Sequence, residues 1–62
     1  MRSFLLYEVW SEDADGYQEL LETTADKGQA LRVAKESLVP GATVTVYRET
    51  EDGDLESIEV FE

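Results

Sequence analysis

The stretch SEDADGYQELLE, residues 11 to 22, is the one part of this chain whose residue types and spacing could do chemistry. Asp13, Asp15, Gly16 and Glu22 fall on the pattern D-x-[DN]-x-[DN]-G-x5-E, with Tyr17 at the carbonyl position and Glu19 at the ninth. A hard cation such as calcium wants six to eight oxygen ligands on a loop that glycine lets turn sharply, which is what such a spacing offers.

Over those residues the chain resembles an EF-hand loop, and it departs from one at the positions that count. Ser11 stands where the first aspartate ligand belongs, Gln18 replaces the expected apolar residue, and there is no second loop to pair with. The flanking residues favour strands, so a solvated hairpin turn is expected here, with no metal ligands.

The remaining chemistry is narrow. The chain has no cysteine and no histidine, which excludes disulfides, thiolate or imidazole metal ligands and the commonest nucleophile and base pairs. Ser3, Ser11, Ser37 and Ser57 have no histidine to activate them, and Lys27 and Lys35 sit on or beside a solvated helix face. Gly16, Gly28, Gly41 and Gly53 are isolated, so no phosphate-cradling loop exists. The sequence predicts no catalytic residue, no cofactor and no enzyme.

The elements that position these residues can be read from periodicity. SFLLYEVW, residues 3 to 10, and YQELLETT, residues 17 to 24, read as strands of a hairpin about the turn SEDADG. DKGQALRVAKESLV places Ala30, Leu31, Val33, Ala34 and Leu38 on one stripe at helical spacing. Asp26 is the expected N-cap, with Gln29 completing a capping box and Thr24 as an alternative cap one turn earlier. Pro40 and Gly41 end the helix.

ATVTVYRETEDGDLESIEVFE alternates with period two about EDGD and predicts a second hairpin. A three-residue loop of Glu51, Asp52 and left-handed Gly53 would pair Arg48 with Glu56, Val46 with Ile58 and Val44 with Val60. A two-residue turn would set Val46 against Glu59 and Val44 against Phe61, mixing apolar and acidic positions, so the first register is expected. The fold class is therefore α+β, a ββαββ chain forming a four-stranded antiparallel sheet with one helix packed on one face. Residues 1–62 make a single domain without repeats, and sheet order is left open.

One helix covers one sheet face. Strand 1 is apolar on both sides, and under this register Tyr47 and Phe61 point away from Val44, Val46, Ile58 and Val60. An uncovered patch of Phe4, Leu6, Trp10, Tyr17, Tyr47 and Phe61 is thus the expected interface, because aromatic residues dominate interface hot spots. A domain of this length buries only about 60% of its unfolded surface, so borrowing stability from a second copy is expected.

Fifteen acidic against five basic residues give a net charge of −10. Direct nucleic-acid binding needs clustered Lys and Arg and is not expected, nor is binding to anionic membranes. No stretch is long enough to span a membrane and the start lacks a signal-peptide pattern, so a cytoplasmic location is expected.

The partner is then another copy, another protein with a basic surface, or both. Two other readings follow from charge alone. One is a DNA-mimicking inhibitor of a nucleic-acid-binding protein, of the phage anti-restriction or anti-CRISPR kind. The other is a haloadapted cytosolic domain.

Overall fold

The computed structural model describes residues 5–62. Two strands, β1 (Tyr7–Glu12) and β2 (Gln18–Thr24), lead into the helix α1 (Lys27–Ser37), and β3 (Thr43–Glu49) and β4 (Leu55–Phe61) follow. All four strands form one antiparallel sheet in the order β2-β1-β3-β4, so the ββαββ, α+β expectation holds. Phe4 lies outside the described residues.

The helix begins where its chemistry dictates. Asp26 takes an extended conformation and its Oδ1 accepts from Gly28 N at 2.9 Å and Gln29 N at 3.4 Å, satisfying two orphan amides of the first turn. Thr24 supports that cap rather than replacing it, its Oγ1 accepting from Asp26 N at 3.1 Å. The capping box is half made, because the Gln29 side chain accepts from Arg32 instead.

Ala30 and Ala34 are fully buried, and their small size lets α1 lie close against β1, β2 and β3. Under them Val9, Val44 and Val46 are fully buried as well, and Tyr7, Leu21, Leu31, Val33, Leu38, Ile58 and Phe61 close the core around them.

β1 starts later than SFLLYEVW suggests and runs on through Ser11 and Glu12. Leu6 still accepts from Glu49 N at 2.8 Å, but the ladder with β2 ends at Tyr7, which faces Thr24. At its other end the turn is shorter than SEDADG. Asp13 N donates to Tyr17 O at 3.0 Å and Gly16 N to Asp13 O at 2.9 Å, leaving a tight loop with Gly16 at φ +88°.

The second hairpin repeats this construction: Thr50 N donates to Asp54 O at 2.8 Å, Gly53 N to Thr50 O at 3.0 Å, and Gly53 has φ +89°. This is the three-residue loop expected for Glu51, Asp52 and Gly53. A Cβ on Gly53 would meet nothing within 4 Å, so the cost of replacing it is backbone strain alone. Gly53→Val should lower stability by about 1–2 kcal/mol, read as a lowered urea midpoint at unchanged slope; an unchanged midpoint would remove the left-handed requirement.

Beyond the loop the expected register fails. Arg48 does face Glu56, with Nη2 to Oε1 at 2.8 Å, and Tyr47 faces Ser57, but Val46 faces Glu59, Thr45 faces Val60 and Val44 faces Phe61. A β-bulge at Ile58 inserts one extra residue, so parity is that of the three-residue loop near the turn and that of the two-residue turn beyond it. Ile58 stays with the core as expected, but Phe61 moves to the helix side beside Val44, and Val60 moves to the opposite face. Alternation assumes a uniform ladder, and the bulge breaks it.

β2 carries the same irregularity: Trp10 faces Leu20, Val9 faces Glu22, and Leu21 is the extra residue. The two hairpins are in fact repeats of one unit, which corrects the expectation of a chain without repeats. Residues 7–24 superpose in sequence on 44–61 without a gap. Val9, Glu12, Asp15, Gly16, Glu19 and Glu22 recur as Val46, Glu49, Asp52, Gly53, Glu56 and Glu59. Trp10 corresponds to Tyr47, and the bulged Leu21 to Ile58. Because β1 and β3 pair antiparallel with Val9 facing Val46, a pseudo-twofold axis crosses the sheet between those two valines.

Candidate interaction surface

Pairing across the sheet fixes which residues share the face that α1 leaves bare, since directly opposed residues point the same way. The rows are read in the order β2, β1, β3, β4. One central row is Leu20, Trp10, Thr45, Val60, and the next is Thr23, Glu8, Tyr47, Ser57. Beyond the first lie Gln18, Glu12 and Thr43, and beyond the second lie Leu6, Glu49 and Leu55.

Leu20, Leu55 and Val60 are 45%, 45% and 49% exposed, which is high for aliphatic strand residues. A groove of about 250 Å³ crosses this face, lined by Trp10, Gln18, Tyr47 and Leu55. Those residues are two pairs of equivalent positions in the hairpin repeat, so the groove lies on the pseudo-twofold axis. The Trp10 indole donates from Nε1 to Glu8 Oε1 at 2.8 Å, which fixes the ring and leaves the other Glu8 oxygen available.

Of the residues expected at the interface, Leu6, Trp10 and Tyr47 come together on this face. Phe61 does not, because the bulge turns it into the core. Tyr17 is 67% exposed at the tip of the first hairpin, paired through its backbone with Asp13 and outside the central rows. Phe4 lies outside the described residues. Leu20, Leu55 and Val60 are absent from the expected interface. Three-residue loops alone set Leu20 opposite Trp10 and Leu55 opposite Glu49. Val60, in contrast, lies beyond the bulge, and the signal for that is the gapless alignment of the two hairpins, which puts both bulges at the same place.

The charges are divided between the faces. Glu8, Glu12 and Glu49 lie on the bare face with no basic neighbour there among the described residues, whereas Lys27, Arg32 and Lys35 are on the helix and Arg48 is on the helix side of β3. Glu56, first by its hydrogen bond and then by its charge, raises the Arg48 pKa above its ordinary value. Both partners are well exposed, so this pair steadies the hairpin only slightly.

Of the SEDADG segment, Ser11 and Glu12 belong to β1 and residues 13–16 form the hairpin turn. Asp13 Oδ1 accepts from Asp15 N at 3.0 Å and Tyr17 N at 2.9 Å, committing to the loop's own amides an oxygen that a calcium loop would use as ligand. Among the described residues no group of carboxylates is arranged to hold a metal ion, and no helix is long and apolar enough to cross a membrane. No protein-family model, curated protein or solved structure matches this chain.

Proposed function

We propose that this chain is a small, acidic, non-enzymatic protein-interaction module that pairs with a second copy of itself through the bare sheet face. The observation that carries this reading is the exposure of Leu20, Leu55 and Val60 around Trp10 and Tyr47 on a face that nothing among the described residues covers. Aromatic and aliphatic groups in one patch are what a desolvated interface centre requires.

Two features favour the face over the sheet edges as the place of association. Both edge strands, β2 and β4, are interrupted by a bulge, and they carry Glu19, Glu22, Glu56 and Glu59. Bulges and charges are the devices that discourage edge-to-edge pairing. The available area also sets the strength. Four strands about 4.8 Å apart and about six residues long at 3.3 Å each give a footprint of roughly 400 Å². That is about half of what each partner of a standard interface buries, so the dimer is a weak one that forms at high concentration.

Salt distinguishes this reading from recognition of a basic surface or mimicry of DNA charge. With a net charge of −10 on each copy, self-association must strengthen as ionic strength rises, whereas an acidic surface bound to a basic partner loosens. Sedimentation equilibrium in low and high salt should show a dimer favoured by salt, and Tyr47→Glu and Val60→Glu should each abolish it. A monomer at every salt concentration up to millimolar protein would overturn the proposal.

A further inference from the structure

An exact hairpin repeat would make the two in-plane twofold axes equivalent. It is the positions where the repeat fails, Leu20 against Ser57 and Val60 against Thr23, that make the bare face complementary to itself in one orientation only. Resting on the homodimer reading above, we infer that the two copies stack face to face about a twofold axis parallel to the strands, with β2 of each copy over β4 of the other and β1 over β3.

The inference follows from the two central rows. A twofold axis parallel to the strands reverses the order of strands but keeps each row opposite itself. Leu20 then meets Val60 of the second copy, Trp10 meets the smaller Thr45, Thr23 meets Ser57, and Glu8 meets Tyr47. Apolar positions oppose apolar ones at the flanks, and the large indole opposes a small side chain at the centre. The Glu8 oxygen not engaged by Trp10 faces a phenol that can donate to it. In the outer rows Glu12 opposes Thr43, and no carboxylate opposes another.

A twofold axis across the strands would exchange the rows instead. Leu20 would meet Thr23, Val60 would meet Ser57, and the Trp10 ring would meet Glu8, setting every apolar group of the centre against a polar one. Aligned sheets rotate by about 30° when they pack, which shifts the outer rows and leaves the central ones opposed. The discrimination therefore rests on the central rows, where both geometries are fully specified.

A charge-swap pair tests the orientation separately from dimerisation. L20E and V60K should each be monomeric where the unmodified protein is dimeric, with far-UV circular dichroism confirming that both are folded. Mixed in equal amounts at low salt, they should recover a dimer about tenfold tighter than either variant forms alone, since one new ion pair and one original Leu20–Val60 contact then form across the interface.

The mixture of L20E with T23K carries the same change in charge and serves as the control, because Thr23 lies opposite Leu20 only in the crossed geometry. Recovery with V60K and not with T23K supports the inference. Recovery with T23K, or with neither while the unmodified protein still dimerises, overturns the orientation and leaves the dimer standing. An unmodified protein that is monomeric at every salt overturns both.

Discussion

Val9→Ala lowers the stability of the folded chain by about 2–3 kcal/mol, the sum of two lost methyl groups and a cavity that its neighbours cannot fill. Val9 is fully buried at the point where the pseudo-twofold axis crosses the sheet, beneath Ala30 and Ala34 and directly opposite Val46. Neither alanine has side chain to move into the space. A chain of this size has a total stability of only about 3–9 kcal/mol, so the single substitution removes about a fifth of it or more. Melting temperature should fall by about 10–20 °C.

Val46→Ala, its equivalent in the repeat, should cost a similar amount. Because the two side chains oppose one another, the double variant should depart from additivity by at least about 0.5 kcal/mol. Urea denaturation followed through the sole tryptophan, Trp10, measures all three. A cost below about 1 kcal/mol for Val9→Ala would mean that the core is not centred on this valine pair.

Much of this architecture was legible because local chemistry determines it locally. Asp26 caps α1 through its own side chain, Ala30 and Ala34 mark the buried stripe by their spacing, and Gly53 announces a left-handed loop position through neighbouring residues alone. The bare face was legible for a related reason: Trp10 and Tyr47 alternate away from Val9 and Val46 on unbroken strands.

What the sequence hid was set by relations between distant segments. The order β2-β1-β3-β4 arises from the central pairing of β1 with β3, which no turn connects. The bulges at Leu21 and Ile58 have no marker residue of their own, since a leucine or isoleucine before a glutamate reads as ordinary alternation. Only when ELLE of the first hairpin is set beside ESIE of the second do both irregularities stand at one position, and with them the assignment of Val60 and Phe61.

Phe61→Glu and Val60→Glu should therefore have opposite consequences, although the residues are neighbours on one strand. Phe61 packs on the core cluster beside Val44, and a carboxylate there loses aromatic packing and is drawn toward an apolar layer. The expected loss is about 2–3 kcal/mol, smaller than for a fully enclosed phenylalanine because Phe61 is only partly buried. Val60 is 49% exposed on the bare face opposite Thr45, so Val60→Glu should leave monomer stability within about 0.5 kcal/mol and act on self-association instead.

Had the ladder continued in the register that the Gly53 loop starts, Val60 would face Val44 and Phe61 would be bare, and the two effects would exchange. Thermal melts at a dilution where no dimer forms, paired with sedimentation at high concentration, separate the two. A destabilised Val60→Glu beside an unaffected Phe61→Glu would place the extra residue elsewhere in β4. It would also take away the row of Leu20, Trp10, Thr45 and Val60 on which the face-to-face geometry depends.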